Sequence, residues 1–299
     1  MNTESFKKAL ADIGVNFICD EPMSKHTSFC VGGPAEVFIC ADNEEKFCDA
    51  LKCAGKFSVP VTVIGNGSNL LVSDKGIEGL VIKYADRSVE VHGNILECKA
   101  GALLSSAAVS ARDSSLCGME FSYGIPGSIG GAVYMNAGAY GGEIKDVILN
   151  CRSLTADGSI ITRSKDELEL GYRESIYRKN GEIILSAAFC LEIGDKEKIT
   201  DKMNGFMERR RSKQPLNMPS AGSTFKRPEG YFAGALIEQC GLKGMNIGGA
   251  AVSEKHAGFI VNTGNATCED IKRLIDKVRS EVLLRTGVTL EPEVIFVGR

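Results

Sequence analysis

Between Gly124 and Gly142 the chain reads GIPGSIGGAVYMNAGAYGG, seven glycines in nineteen residues, interleaved with small and apolar side chains. Glycine destabilises regular helices and strands. A run this dense is tolerated where the backbone takes positive φ or lets another body approach closely. A flexible linker would be rich in serine and polar residues, whereas this run holds Ile125, Ile129, Val133, Tyr134, Met135 and Tyr140. Two physical readings fit: backbone N–H groups forming a concavity for the pyrophosphate of a nucleotide, or a tight strand-turn-strand corner without a ligand.

A second cluster, Gly65-Asn66-Gly67-Ser68-Asn69, follows the β-like run Val61 to Ile64 and precedes Leu70-Leu71-Val72. Alone it is also an ordinary hairpin turn; paired with the later run it suggests two loops gripping one large ligand. Neither the G-x-x-x-x-G-K-[ST] phosphate loop nor the G-x-G-x-x-G dinucleotide fingerprint is present.

At 299 residues the chain exceeds the usual size of a single core, so two or three packed subdomains are expected. A net charge of −3 leaves no global basic field for nucleic acid, so any phosphate binding must be local. The opening residues MNTESFKKALADIG are not a leader but an amphipathic helix, with Thr3 as N-cap, Phe6, Leu10 and Ile13 on one face and Gly14 as the stop. No segment approaches the roughly 18 apolar residues of a membrane span, and a cytoplasmic protein without membrane insertion is expected. The eleven cysteines form no C-x-x-C pair and sit singly in apolar settings such as Phe38-Ile39-Cys40 and Phe189-Cys190-Leu191, which reads as buried free thiols. His26, His92 and His256 are scattered without ligand spacing, so no metal is expected.

Periodicity predicts helices over 42–54, 102–117, 195–212, 232–240 and 268–285. It predicts strands over 60–64, 79–84, 88–99, 147–155, 158–162, 182–193 and 248–263. The fold class is α+β. In the last helix Thr267 is the predicted N-cap, Ile271, Leu274, Ile275, Val278 and Val282 the apolar stripe, and Gly287 the stop.

Three polar segments lie among special backbone: Gly171-Tyr172-Arg173-Glu174-Ser175, Ala221-Gly222-Ser223-Thr224-Phe225-Lys226 and Leu290-Glu291-Pro292-Glu293-Val294. Taken singly, each is equally a surface ion pair, a turn or a solvated carboxylate. Together with HTSFCVGGPAEVF at 26–38, GNGSNLLVSDKGIEGLVI at 65–82, GIPGSIGGAVYMNAGAYGGEI at 124–144 and RRRSKQPLNMPSAGSTFKRP at 209–228, they resemble the UDP-N-acetylenolpyruvoylglucosamine reductase family over nearly the whole chain.

The resemblance implies a flavoenzyme of bacterial cell-wall synthesis that makes UDP-N-acetylmuramate. NADPH would reduce a noncovalent FAD, flavin N5 would pass hydride to the terminal vinyl carbon of the enolpyruvyl group, and the adjacent carbon would take a proton. It implies a two-part FAD-binding domain of the p-cresol methylhydroxylase type over 1–209, with subdomains about 1–84 and 85–209. A substrate-binding domain would cover 210–291, and a strand over 292–299 would return to the first part. Gly65, Asn66, Gly67, Ser68, Asn69, Leu70, Pro126, Gly127, Ser128, Gly130, Gly131 and Gly138 would hold the cofactor. Arg173, Ser223 and Glu293 would be catalytic: Arg173 stabilising the enolate, Ser223 donating the proton and Glu293 orienting or polarising the same region.

Lys213 matches a family position that helps to bind the UDP-sugar, and Tyr140 would lie near the substrate. Arg209, Arg210 and Arg211 stay open between a ligand role and a solvated run favoured by the helix dipole. The short stretch between Arg173 and residue 200 lacks a tyrosine-bearing lid insertion, matching the family branch without it. Arg227 and Ile295 stand where the other branch tends to have Asn and Arg. A monomer or weak homo-oligomer is expected, with no nucleic-acid partner.

Overall fold

The computed structural model describes residues 3–299. Two compact units emerge, interleaved in sequence: the first takes the chain up to Ile18, Phe38–Asn66 and Gly79–Arg210, and the second takes Cys19–Val37, Gly67–Glu78 and Arg211–Arg299.

In the first unit the strand Val61–Ile64 runs parallel to the part of the strand Ile77–Tyr84 that follows Glu78, in register from Val61↔Leu80 to Ile64↔Lys83. The helix Glu44–Lys56 starts at Asn43, whose side chain accepts from the Lys46 N–H, and its Phe47 ring lies 4.8 Å from that of Tyr84. The other half is a five-stranded antiparallel sheet in the order Ile160–Ser164, Ile148–Leu154, Ile183–Cys190, Ile95–Lys99, Val89–His92. Its edge strands alternate between half-buried and exposed positions, while the central Ile183–Cys190 is almost wholly apolar and covered. Glu44 joins the two halves, accepting from Arg152 Nη2 at 3.0 Å and Lys99 Nζ at 3.0 Å.

In the second unit a small antiparallel sheet of Asn246–Ile247, Ala250–Val252 and Ile260–Asn262 packs with the helices Ala233–Gln239 and Cys268–Thr286. The apolar stripe of the long helix, Ile271, Leu274, Ile275, Val278 and Val282, meets Leu236, Ile237, Val252 and Ile260 in one core. That helix opens with a reciprocal Thr267–Asp270 capping box, and the Asp74 carboxylate accepts from the N–H groups of Cys268 and Glu269 at 2.8 and 3.0 Å. Gly287 closes it at φ +72°. The strand Ile295–Val297 pairs in parallel with Leu70–Val72, so the chain's end lies beside the segment that follows the first glycine cluster.

Several expectations needed correction. The predicted strand over 88–99 is a hairpin that turns at Gly93, and the helix read over 102–117 ends at Asp113. The strands expected over 248–263 are present, as Ala250–Val252 and Ile260–Asn262 with a loop between them. Ile13 is half exposed, beyond the last turn of the first helix, where only Phe6 and Leu10 face inward. Cys40 and Cys190 are exposed, because strand alternation turns them outward while Ile39 and Phe189 fill the core; Cys19 and Cys30 are exposed too. Among the described residues no helix is long and apolar enough to cross a membrane.

Candidate active site

The two glycine clusters meet in the first unit. The Asn66 side-chain amide donates to the Pro126 carbonyl at 2.7 Å, and a Cβ placed on Gly65 would collide with Ser128 Oγ. A side chain at 65 would have to displace the Ser128 hydroxyl, which caps the next helix. Continuing into the second unit, Gly67 takes φ +64° and a Cβ there would strike the His26 carbonyl oxygen, while its own carbonyl accepts from the Ser28 N–H at 3.2 Å. The backbone N–H groups of Asn66, Gly67, Ser68 and Asn69 donate to no acceptor among the described residues. In the second unit Gly67, Ser68 and Asn69 thus offer three successive donors, the arrangement by which backbone N–H groups hold an anion.

The second cluster contributes differently. The N–H groups of Ile129 and Gly130 are spent on the carbonyls of Ala102 and Ala100, at 2.8 and 2.9 Å, and Ser128 caps the short helix Ile129–Tyr134. Its glycines therefore serve chiefly as thin wall: a Cβ on Gly130 would press on Ala100 at 3.0 Å, and one on Gly138 would meet the Glu143 Cβ at 2.7 Å. Leu70 opens the strand that pairs with Ile295. Replacing Gly67 with Ala imposes a left-handed conformation costing about 1–2 kcal/mol, with the carbonyl clash added. Calorimetry should give a lower melting temperature and absorbance a lower flavin content; unchanged values for both would show that the loop tolerates a side chain.

Arg173 sits in a tight turn of the first unit, where Gly171 and Glu174 exchange backbone hydrogen bonds and Arg173 itself takes φ +57°. Two buried side chains pin this turn. Asn136 donates to the Gly171 carbonyl at 2.8 Å and to Glu143 at 2.6 Å and accepts from the Lys145 N–H, while Ser175 Oγ donates to the Tyr134 carbonyl at 2.7 Å. The Arg173 guanidinium lies 5.0 Å from the Tyr172 ring centroid. A cation is thus held on a backbone that has little freedom to move.

In the second unit the segments that carry Ser223 and Glu293 run side by side. Phe225 and Pro292 form an antiparallel bridge, and the Glu293 N–H donates to the Thr224 carbonyl at 2.8 Å. Thr224 is fully buried; its N–H donates to the Gly258 carbonyl at 2.9 Å and its Oγ1 accepts from the Ile260 N–H at 3.0 Å. Ser223 is exposed beside this anchor and follows Gly222 at φ +75°; Glu293 is half-buried. Neither Asn136 and Ser175 nor Thr224 stood out in the sequence. Their only signal was position, each within the motifs or one residue from a candidate.

Tyr140, at φ +55°, stacks on Phe206 of the helix Lys196–Lys213 with ring centroids 4.6 Å apart, and Arg209 lies 5.3 Å from the same ring. Lys213 and Arg211 are exposed, and the Arg211 carbonyl accepts from Lys255. Of the histidines, His26 pairs with Glu21 at 3.0 Å, His92 lies at the surface near Glu90, and the His256 ring is wedged between Gly234 and Gly258.

Residues 35–164 match the family described as FAD binding domain, and residues 214–297 match UDP-N-acetylenolpyruvoylglucosamine reductase, C-terminal domain. The chain is 51% identical over 286 residues to the UDP-N-acetylenolpyruvoylglucosamine reductase of Lachnoclostridium phytofermentans, covering 94% of this chain and 92% of that one. The Clostridioides difficile reductase is 49% identical over 281 residues, covering 93% and 92%. The crystal structure of the Thermus caldophilus reductase superposes with a TM-score of 0.82 at 34% identity, covering 95% of this chain and 98% of that one. With a flavin-binding domain and the family's own C-terminal domain in one α+β chain, the protein belongs to the UDP-N-acetylenolpyruvoylglucosamine reductase family.

Proposed function

We propose that this chain reduces the enolpyruvyl group of its UDP-sugar to the lactyl ether of UDP-N-acetylmuramate, taking electrons from NADPH and protonating through Ser223. The observation that supports the reading is the Thr224–Glu293 backbone hydrogen bond, which joins the segment carrying Ser223 to the segment carrying Glu293. Residues 65–70 and 126–131 bind the flavin, and 1–209 and 210–291 act as its domain and the substrate's. FAD, when bound, supplies two-electron transfer between NADPH and the vinyl carbon.

The protein's own groups manage charge and protons. As the vinyl carbon gains hydride, negative charge spreads from the neighbouring carbon onto the substrate carboxylate. The Arg173 guanidinium, permanently charged and able to form two parallel hydrogen bonds, receives that charge without reorganising. Ser223 Oγ–H gives its proton to the carbanionic carbon and recovers one from solvent, and Glu293 fixes the orientation of the reacting group. Lys213 offers a point charge to the UDP diphosphate, and Tyr140 lies along the substrate. The protein works in the cytoplasm as a monomer or weak homo-oligomer.

The test is anaerobic absorbance of the purified holoprotein. NADPH should bleach the flavin band, and the enolpyruvyl derivative of UDP-N-acetylglucosamine should restore it. Bleaching without recovery would mean another electron acceptor, and no bound flavin would refute the reading.

A further inference from the structure

Arg210, in the last turn of the helix Lys196–Lys213, differs from the arginines beside it in sequence. It is half-buried, while Arg209 and Arg211 are exposed. Its stem lies along the backbone of Gly124, the first residue of the long glycine run: a Cβ on Gly124 would sit 3.0 Å from Arg210 Cδ and 3.7 Å from its Nη1 and from Met207 Cε. A Cβ at 124 would press on the Arg210 stem at Cδ. Two other half-buried arginines of the first unit have carboxylate partners, Arg163 with Glu182 and Arg152 with Glu44. The Arg210 guanidinium makes no hydrogen bond or ion pair among the described residues, and the one ionisable group acting on it is the Tyr140 phenol. Burial pushes its pKa below the ordinary arginine value.

A partly desolvated guanidinium without a carboxylate partner is costly, and charges drawn out of water are usually paired. Its planar fork matches phosphate and carboxylate oxygens. Gly124 lies two residues before Pro126, where the other glycine loop is tied by Asn66.

We propose that Arg210 is an anion receptor, whose guanidinium pairs with a phosphate or carboxylate oxygen of a nucleotide ligand lying over the Gly124–Gly131 run. This rests on the reading that the chain holds FAD and a UDP-sugar. Both carry such oxygens, and the experiment separates them.

Arg210→Met keeps the stem and removes the charge; Arg210→Lys keeps the charge and loses the fork. Three measurements are made on wild type and both variants: melting temperature of the flavin-stripped protein, Kd for FAD by flavin fluorescence, and KM for the enolpyruvyl UDP-sugar with flavin saturating. In Arg210→Met the stripped protein should melt no lower than wild type, because an uncompensated charge has gone. One ligand should bind about 10- to 100-fold more weakly, the worth of lost charge-assisted hydrogen bonds. A weaker FAD Kd with unchanged KM assigns the oxygen to the flavin, and the reverse assigns it to the UDP-sugar. Arg210→Lys should fall between. A lower melting temperature in stripped Arg210→Met, or both affinities within about twofold of wild type, overturns the proposal and makes Arg210 a packing residue. Wild-type protein that takes up no FAD would instead refute the assigned function, and the melting temperatures of the stripped proteins would still decide whether Arg210 is a packing residue.

Discussion

Ser223→Ala should slow reduction of the enolpyruvyl substrate by about 10²–10⁴-fold, the usual worth of a positioned acid, while flavin bleaching by NADPH proceeds near the wild-type rate. The fold gives reason to expect a clean result. Ser223 is exposed, and the backbone around it is held by its neighbour: Thr224 donates to Gly258, accepts from Glu293 through its carbonyl and from Ile260 through its hydroxyl. Deleting the serine oxygen touches none of those bonds, so the melting temperature should hold. Stopped-flow absorbance resolves the two half-reactions. Equal damage to both would remove Ser223 from the role of proton donor, and an unchanged second half-reaction would mean that solvent protonates the carbon unaided.

What the sequence made legible was the part governed by local rules. Thr267 and Gly287 bracket a helix through capping chemistry that needs no tertiary context, and the structure repeats that bracket, adding the return bond from Asp270. The glycine run was legible for the same reason, since a dense cluster of residues without Cβ has few physical causes. Long-range packing was not. That residues 19–37 and 67–78 group with the chain after Arg210 depends on pairings such as Leu70 with Ile295, which no local pattern announces. Cys40 and Cys190 look buried by their neighbours and are exposed by the phase of their strands.

The site divides along the same line. Arg173, Ser223 and Glu293 were visible as polar side chains in unusual motifs. The groups that hold them were not, because Asn136, Ser175 and Thr224 act through bonds to backbone atoms distant in sequence. Asn136 reaches across 35 residues to Gly171.

Arg173→Lys, which preserves the formal charge, should still lower kcat by about 10²–10³-fold, the cost of losing one preorganised donor to a developing oxyanion. The reason lies in the turn. With Arg173 at φ +57° and the backbone clamped by Asn136 and Ser175, the side chain leaves the chain in one fixed direction. A planar fork launched from such a base meets a carboxylate with both arms, and the substrate needs no ordering at the moment charge develops. The ammonium of lysine is a compact, strongly hydrated point charge on a flexible stem, so it must lose water and freeze rotamers to do less. If the guanidinium stabilises the transition state more than the bound substrate, kcat should fall while KM moves little. A rise in KM with kcat intact would assign Arg173 to ground-state binding, and near-wild-type turnover would show that fork geometry is unnecessary. Asn136→Ala offers the companion measurement: it keeps the guanidinium and releases the Gly171 carbonyl along with the Glu143 and Lys145 contacts, so a loss of kcat at unchanged melting temperature and flavin content would report the value of holding Arg173 still.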